Sequence, residues 1–563
     1  MTGSVAVAIV LALLLAFVAG YKYPGLRAAS TVGGVTLIIV AGAALLRHNP
    51  ADSRSQTKPR TALADRDLSS EDFRPVEVLT DGHIGSDACR KCHPRNHATW
   101  HASYHRTMTQ LATDESVIGD FDDNKVRTEF DGQVYHLTRQ NGRFFVEMEN
   151  PGLQPVDSKP IVKRPIVMTT GSHHMQVYWY PMGRSRILSQ LPLTWLKSEQ
   201  RWIPRGMEFL APTEHHVATH HSGLWNTACI NCHSTHGSAR VDPSNRMDTQ
   251  AVEFGISCEA CHGPGESHVA AHRQETVDED YEDWIVDPAK LTPKRSAQVC
   301  GRCHSVSFPR DYVETGRIND YGLGYRPGDD LHATRFVARV NEESAQYAVQ
   351  MHVMPHASDY EAWATQSFWS DGMVRISGRE YNGLIESACY QRGAMSCTTC
   401  HVMHLPEDDP RPLEEWANDQ LKLHGHDDQS CLQCHDANEF ENSEHTHHSI
   451  ESDGSRCMNC HMPYTTYGLM KAIRSHTITS PRTSESVQAG RPNACNLCHL
   501  DRTLDWSADH LARWFNQPRP ELSEDQKSVS AAVVWTLSGD AGQRALMAWH
   551  MGWEPAVNAS GSQ

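Results

Sequence analysis

The sequence predicts a mainly α chain with extensive irregular loops, a small β-hairpin insertion and N-terminal transmembrane helices. Three observations carry that expectation. The pattern C-x-x-C-H occurs eight times, and the chain between the repeats is only modestly hydrophobic. Two uncharged apolar segments stand near the N-terminus, at residues 4–20 and 28–46. One Asn-Gly pair, Asn141-Gly142, lies between two β-prone runs in "QVYHLTRQNGRFFVEM", a strong hairpin signal.

The repeats decide what fills the interior. They pair Cys89 with Cys92, Cys229 with Cys232, Cys258 with Cys261, and Cys300 with Cys303. The later four pair Cys397 with Cys400, Cys431 with Cys434, Cys457 with Cys460, and Cys495 with Cys498. Sixteen of the 17 cysteines are thereby used, leaving Cys389, which reads as a small buried apolar residue. With 35 histidines in 563 residues, a given position is His about one time in sixteen, so eight coincidences are not chance. Zinc ribbons and disulfides place no demand on a histidine after the second cysteine. Covalent haem does: the thiols form thioethers with its vinyl groups, and the adjacent imidazole takes an axial position on iron. The expectation is a multihaem cytochrome c fold organised around eight covalently bound haem c groups. Their proximal ligands are His93, His233, His262, His304, His401, His435, His461 and His499. Twenty-seven further histidines are available for the opposite faces, so composition favours bis-histidine ligation, with His/Met open at some sites.

Each element then follows in order. Residues 1–48 read as a membrane anchor of two helices, since each apolar segment is close to the ~17–25 residues that span a bilayer. "MTGS" lacks the positive region of a signal peptide. Haem attachment takes place on the outer face of the membrane, so both ends of the hairpin are placed outside, with "YKYPGLR" in the cytoplasm. Arg47, Arg54, Lys58 and Arg60 after the second span count against that orientation, and the haem-loading argument outweighs them. The expected location is the bacterial cytoplasmic membrane, with the haem domain facing the periplasm. Residues 49–83 are a polar tether, and 84–500 form the octahaem domain. A C-terminal helical pair covers 501–563: Ser523-x-x-Gln526 opens one helix toward Leu537, and Asp540 starts a second that runs to about Met551.

Several stretches, covering about residues 84 to 553, resemble multihaem c-type cytochromes of the hydroxylamine oxidoreductase and tetrahaem cytochrome superfamily. They are "IGSDACRKCHPRNHATWHASYHRTM", "TGSHHMQVYWY", "FGISCEACHGPGESH", "ISGREYNGLIESACYQRGAMSCTTCHVMH", "HTHHSIESDGSRCMNCHMPYTTYGLMKAIRSH" and "GRPNACNLCHLDRTLDW". The resemblance implies distal ligands at His105, His268, His404, His448 and His476, with His447 able to replace His448. It implies one more from His173 or His174, with His174 assigned as the ligand, and one from the cluster His215, His216, His220 and His221. His332, His352 and His356 are weaker candidates.

The expected function is electron carriage between a membrane or periplasmic donor, such as a quinol dehydrogenase, and another redox protein. A net charge of −17 suits an electropositive partner or another cytochrome, and no basic stripe suggests nucleic acid. The alternative is an oxidoreductase acting on nitrite or hydroxylamine at one open haem. No motif replaces its histidine with lysine to mark such a site. A third possibility is a docking subunit whose C-terminal helices recruit a partner.

Overall fold

The computed structural model describes residues 67–128, 132–150, 160–210, 224–273, 285–310, 324–351 and 353–560. No helix among them is long and apolar enough to cross a membrane. The longest, Leu504–Phe515, has 12 residues, about 18 Å at 1.5 Å per residue against roughly 30 Å of hydrocarbon. The described residues thus hold no transmembrane helix, which corrects the expected membrane-spanning fold and, with it, the location at the cytoplasmic membrane. The two apolar segments from which both were read lie outside the described residues.

The β content is also larger than one hairpin. Strands β1 (Thr109–Leu111), β2 (Asn124–Arg127), β3 (Val134–Gln140), β4 (Arg143–Glu149) and β5 (Ile161–Ile166) follow the first motif. Then come β6 (Met168–Thr170), β7 (Met175–Pro181), β8 (Leu188–Leu196) and β9 (Arg201–Pro204). They build a four-stranded sheet, β2-β3-β4-β5, and a five-stranded sheet, β9-β8-β7-β6-β1. Phe144, Val146 and Met148 alternate inward from β4 and meet Tyr178, Leu191 and Leu193 of the second sheet. That is sandwich packing, each sheet burying one face against the other.

The Asn-Gly signal lands on the β3–β4 turn. Asn141 and Gly142 both have positive φ, 51° and 70°, as a type I′ turn requires. Gly142→Ala is expected to cost about 1 kcal/mol, read as a lower urea midpoint; an unchanged midpoint would refute the turn assignment. Between β6 and β7 the "TGSHHM" loop turns tightly at Gly171 (φ 85°), where a Cβ would lie 2.6 Å from the Met175 carbonyl oxygen.

Elsewhere the helices are short. Those that matter below are α1 (Pro94–Ala102), α2 (Pro293–Gly301) and α3 (Glu380–Leu384). The C-terminal pair proves to be five helices. These are α4 (Leu504–Phe515), α5 (Glu524–Ser528), α6 (Ala531–Ser538), α7 (Ala541–Met551) and α8 (Glu554–Ser560). The capping box Ser523/Gln526 is present, but the helix stops at Ser528. Val529 turns extended (φ −109°, ψ 141°), and Ser530 begins α6. Leu504, Trp535, Leu546, Met547 and Ala556 share one apolar cluster with Trp369, Tyr467 and Leu497. The C-terminal helices are thus packed into the rest rather than appended to it.

Candidate haem-ligand sites

The third, seventh and eighth C-x-x-C-H segments fold as short helical turns, and nearby side chains cap the last two. Asn493 Oδ1 accepts from Cys495 N at 2.9 Å, and Asp428 Oδ1 accepts from Cys457 N at 2.8 Å. In "SCEACHGPGESH" the buried Glu259 carboxylate accepts from the backbone N–H groups of Ile84, Gly85 and Gly265. Glu253 accepts from Ser86 N at 2.9 Å. These charge-assisted bonds clamp the first motif onto the third.

The motifs also meet through their thiols. Cys89 adjoins Cys258, Cys303 adjoins Cys232, Cys300 adjoins Cys397, and Cys431 adjoins Cys457. Cys261 lies within electrostatic reach of Cys300, Cys400 of Cys431, and Cys460 of Cys495. The resulting order is first, third, fourth, fifth, sixth, seventh, eighth, with the second attached to the fourth. Burial pushes the Cys229, Cys261 and Cys495 thiols up to about 12, so these sulfurs are neutral and apolar in character.

Five motif histidines face a histidine from outside the motifs across a nearly constant gap. His93 faces His268 with ring centroids 6.5 Å apart, and His262 faces His404 at 6.3 Å. His304 faces His105 at 6.5 Å, His461 faces His445 at 6.2 Å, and His499 faces His448 at 6.1 Å. A metal–imidazole bond is about 2.0 Å; adding roughly 1.1 Å from nitrogen to ring centre, two imidazoles on one iron stand about 6.2 Å apart. Contacting rings stack closer, as His173 and His174 do at 3.6 Å. The five pairs therefore fit bis-histidine iron.

The second ring nitrogen is anchored in most of these residues. His262 Nδ1 donates to Val286 O at 2.7 Å, His461 Nδ1 to Thr479 O at 3.0 Å, and His448 Nδ1 to Thr446 O at 2.7 Å. His105 Nδ1 donates to Gln420 Oε1 at 2.7 Å, and His404 Nδ1 lies 3.0 Å from Thr99 Oγ1. Such partners fix the tautomer, leaving Nε2 free to ligate. Burial, followed by His304, lowers His105 to about 4, and burial lowers His461 and His404 too; neutral imidazoles are the form that binds metal.

The remaining candidates are placed differently. His476 is enclosed, its Nδ1 3.3 Å from Arg474 O, and its charge bears on His401, which burial lowers to about 4. His447 (φ 55°) turns its ring onto Trp514 at 4.3 Å, away from the motifs. His174 Nε2 accepts from Lys471 Nζ at 2.9 Å, and His173 Nε2 pairs with Asn418 Oδ1. His332 meets the Tyr381 hydroxyl at 3.2 Å, and His356 caps the helix Ala357–Ser367. His215, His216, His220, His221 and His352 lie outside the described residues. Sequence reasoning missed His445. The "HTHH" run supplies two facing residues, and Asn442, capping the turn before it, was the available signal.

A cavity of about 2970 Å³ runs between the second, fourth and fifth motifs, lined by His233, His304 and His401 with their cysteines. Ordinary ligand sites measure roughly 300–1,000 Å³, so this one suits several large groups side by side.

Residues 205–263 match the family described as cytochrome c554 and c-prime. The eight C-x-x-C-H motifs and this match make the chain similar to c-type cytochromes. Among solved structures, outer cell wall cytochrome OcwA is similar in fold, with a TM-score of 0.50 and 16% identity over 85% of this chain and 98% of that one. The octahaem sulfite reductase MccA of Wolinella succinogenes matches at a TM-score of 0.26 and 12% identity, over 70% of this chain and 57% of that one. No curated protein matches the chain.

Proposed function

We propose that this cytochrome is an eight-haem electron-transfer protein, with bis-histidine ligation at five or more sites, passing electrons between two redox proteins. The observation that carries the reading is the set of five histidine pairs held 6.1–6.5 Å apart. When bound, haem supplies a one-electron iron couple at each site. The chain's own part is to hold both axial imidazoles at a fixed spacing and to anchor their second ring nitrogens. Rigid, doubly occupied axial positions reorganise little between oxidation states and leave no place for a substrate, which suits carriage rather than turnover. The proposed donor and acceptor are proteins with positively charged contact surfaces, complementary to the net charge of −17.

A second reading, redox chemistry on nitrite or hydroxylamine at one site, is favoured by one feature. Tyr104, His174 and Lys471 line the same cavity as His233 and could move protons there. Intact-mass measurement and low-temperature EPR of the oxidised protein test both. Eight haem masses above the polypeptide and only low-spin signals are expected. A high-spin signal that shifts on adding nitrite or cyanide would overturn the electron-carrier reading in favour of the enzyme.

A further inference from the structure

The fourth motif holds a special position. Its thiols neighbour three other motifs: Cys303 meets the second, while Cys300 meets the fifth and lies near the third. No other motif among the described residues joins three. By these thiol neighbourhoods, the second motif joins the others at the fourth. The fourth motif's histidine ring is also held differently. His304 Nδ1 donates to the Glu380 carboxylate at 2.9 Å, whereas His262 and His461 donate to neutral backbone carbonyls. A hydrogen bond to a carboxylate draws the imidazole toward imidazolate, making it a stronger donor that stabilises the oxidised iron it ligates.

The contact is built in. Glu380 Oε1 accepts from Gly378 N at 2.8 Å, leaving Oε2 for the imidazole. Tyr381 N donates to His304 O at 2.9 Å, and Asn382 Oδ1 accepts from Val306 N at 2.9 Å, so three successive residues of α3 grip the fourth motif. Arg379 is the adjacent cation, but its guanidinium is directed elsewhere, donating to Ser377 O at 2.8 Å. Glu380 and His304 both face the central cavity.

We propose that Glu380 is a positioning residue that lowers the reduction potential of the fourth site relative to its neighbours, making the branch point an uphill step that separates the second site from the rest of the path. The proposal rests on the haem-binding reading above. Its test uses the full-length, haem-loaded protein with Glu380→Gln and Glu380→Asp, titrated potentiometrically and followed by absorbance and EPR. In Glu380→Gln one reduction step moves to higher potential and the others stay. The EPR signal of the site with the most steeply crossed imidazoles (62° between His105 and His304, against 4° between His445 and His461) changes with it. Glu380→Asp restores most of both. An unmoved titration in fully loaded Glu380→Gln overturns the proposal, as does an equal displacement of every step. Loss of haem from both variants also overturns it, by making Glu380 a folding residue. A wild-type protein without haem would instead defeat the underlying functional reading.

Discussion

Replacing Cys300 and Cys303 together by alanine is expected to unfold the centre of the molecule, whereas the same change at Cys89 and Cys92 leaves a folded protein with one haem fewer. The apolar core is divided into separate clusters, one between the two sheets and another around the C-terminal helices. The space between the second, fourth and fifth motifs is instead the large cavity bounded by cysteines and histidines. A group lost from the fourth motif therefore removes the contact surface of three neighbours at once. At roughly 24 cal/mol per Å³ of hole, a void at the small end of ligand sites, roughly 300 Å³, costs about 7 kcal/mol before collapse relieves it. That approaches the whole stability of a typical domain, ~5–15 kcal/mol. Circular dichroism melting with intact-mass haem counting would show it. Equal melting temperatures for the two double variants would refute the central role assigned to the fourth motif.

What the sequence made legible was whatever is encoded locally. Each C-x-x-C-H run states its own chemistry within five residues, and Asn141-Gly142 states its turn within two. The capping box at Ser523 and the acidic N-cap at Asp540 marked helix starts for the same reason. The sandwich was not legible. Its strands β1, β2 and β6 have only three or four residues each, and β1 pairs with β6 across the whole intervening sheet, Thr109 opposite Thr170. Distal ligands sit between these extremes. His268 faces a motif 175 positions earlier, and His105 one 199 positions later; nothing in the adjacent residues names those partners. In "HTHH" three histidines within four residues end in three environments. A left-handed backbone at His447 turns that ring to Trp514, while His445 and His448 face different motifs. Backbone twist at one position decided the assignment, and composition carries no record of it. The order of the motifs in space was likewise hidden, since the second motif follows the first in sequence yet joins the path at the fourth.

Asp540→Ala is expected to be strongly destabilising although it lies outside the motifs. Asp540 caps α7, its carboxylate accepting from Gln543 N at 3.0 Å while Gln543 Oε1 accepts from Asp540 N at 2.7 Å. The same carboxylate pairs with Arg375, whose side chain is only 7% exposed and whose guanidinium lies 4.2 Å above the Trp369 ring. Alanine removes the cap, worth about 1 kcal/mol, and strands a buried guanidinium, worth about 3–5 kcal/mol. Asp540→Asn keeps an acceptor for the cap and loses only the charge. It should therefore fall between wild type and alanine, and Asp540→Ala combined with Arg375→Met should recover much of the loss. Since α7 shares its apolar cluster with Leu497 of the eighth motif, the destabilised variants should also lose the eighth site's spectral signature before the rest melts. Should Asp540→Asn and Asp540→Ala unfold at the same denaturant concentration as wild type, the Arg375 contact would be a surface pair of no consequence, and the C-terminal helices would owe their place to apolar packing alone.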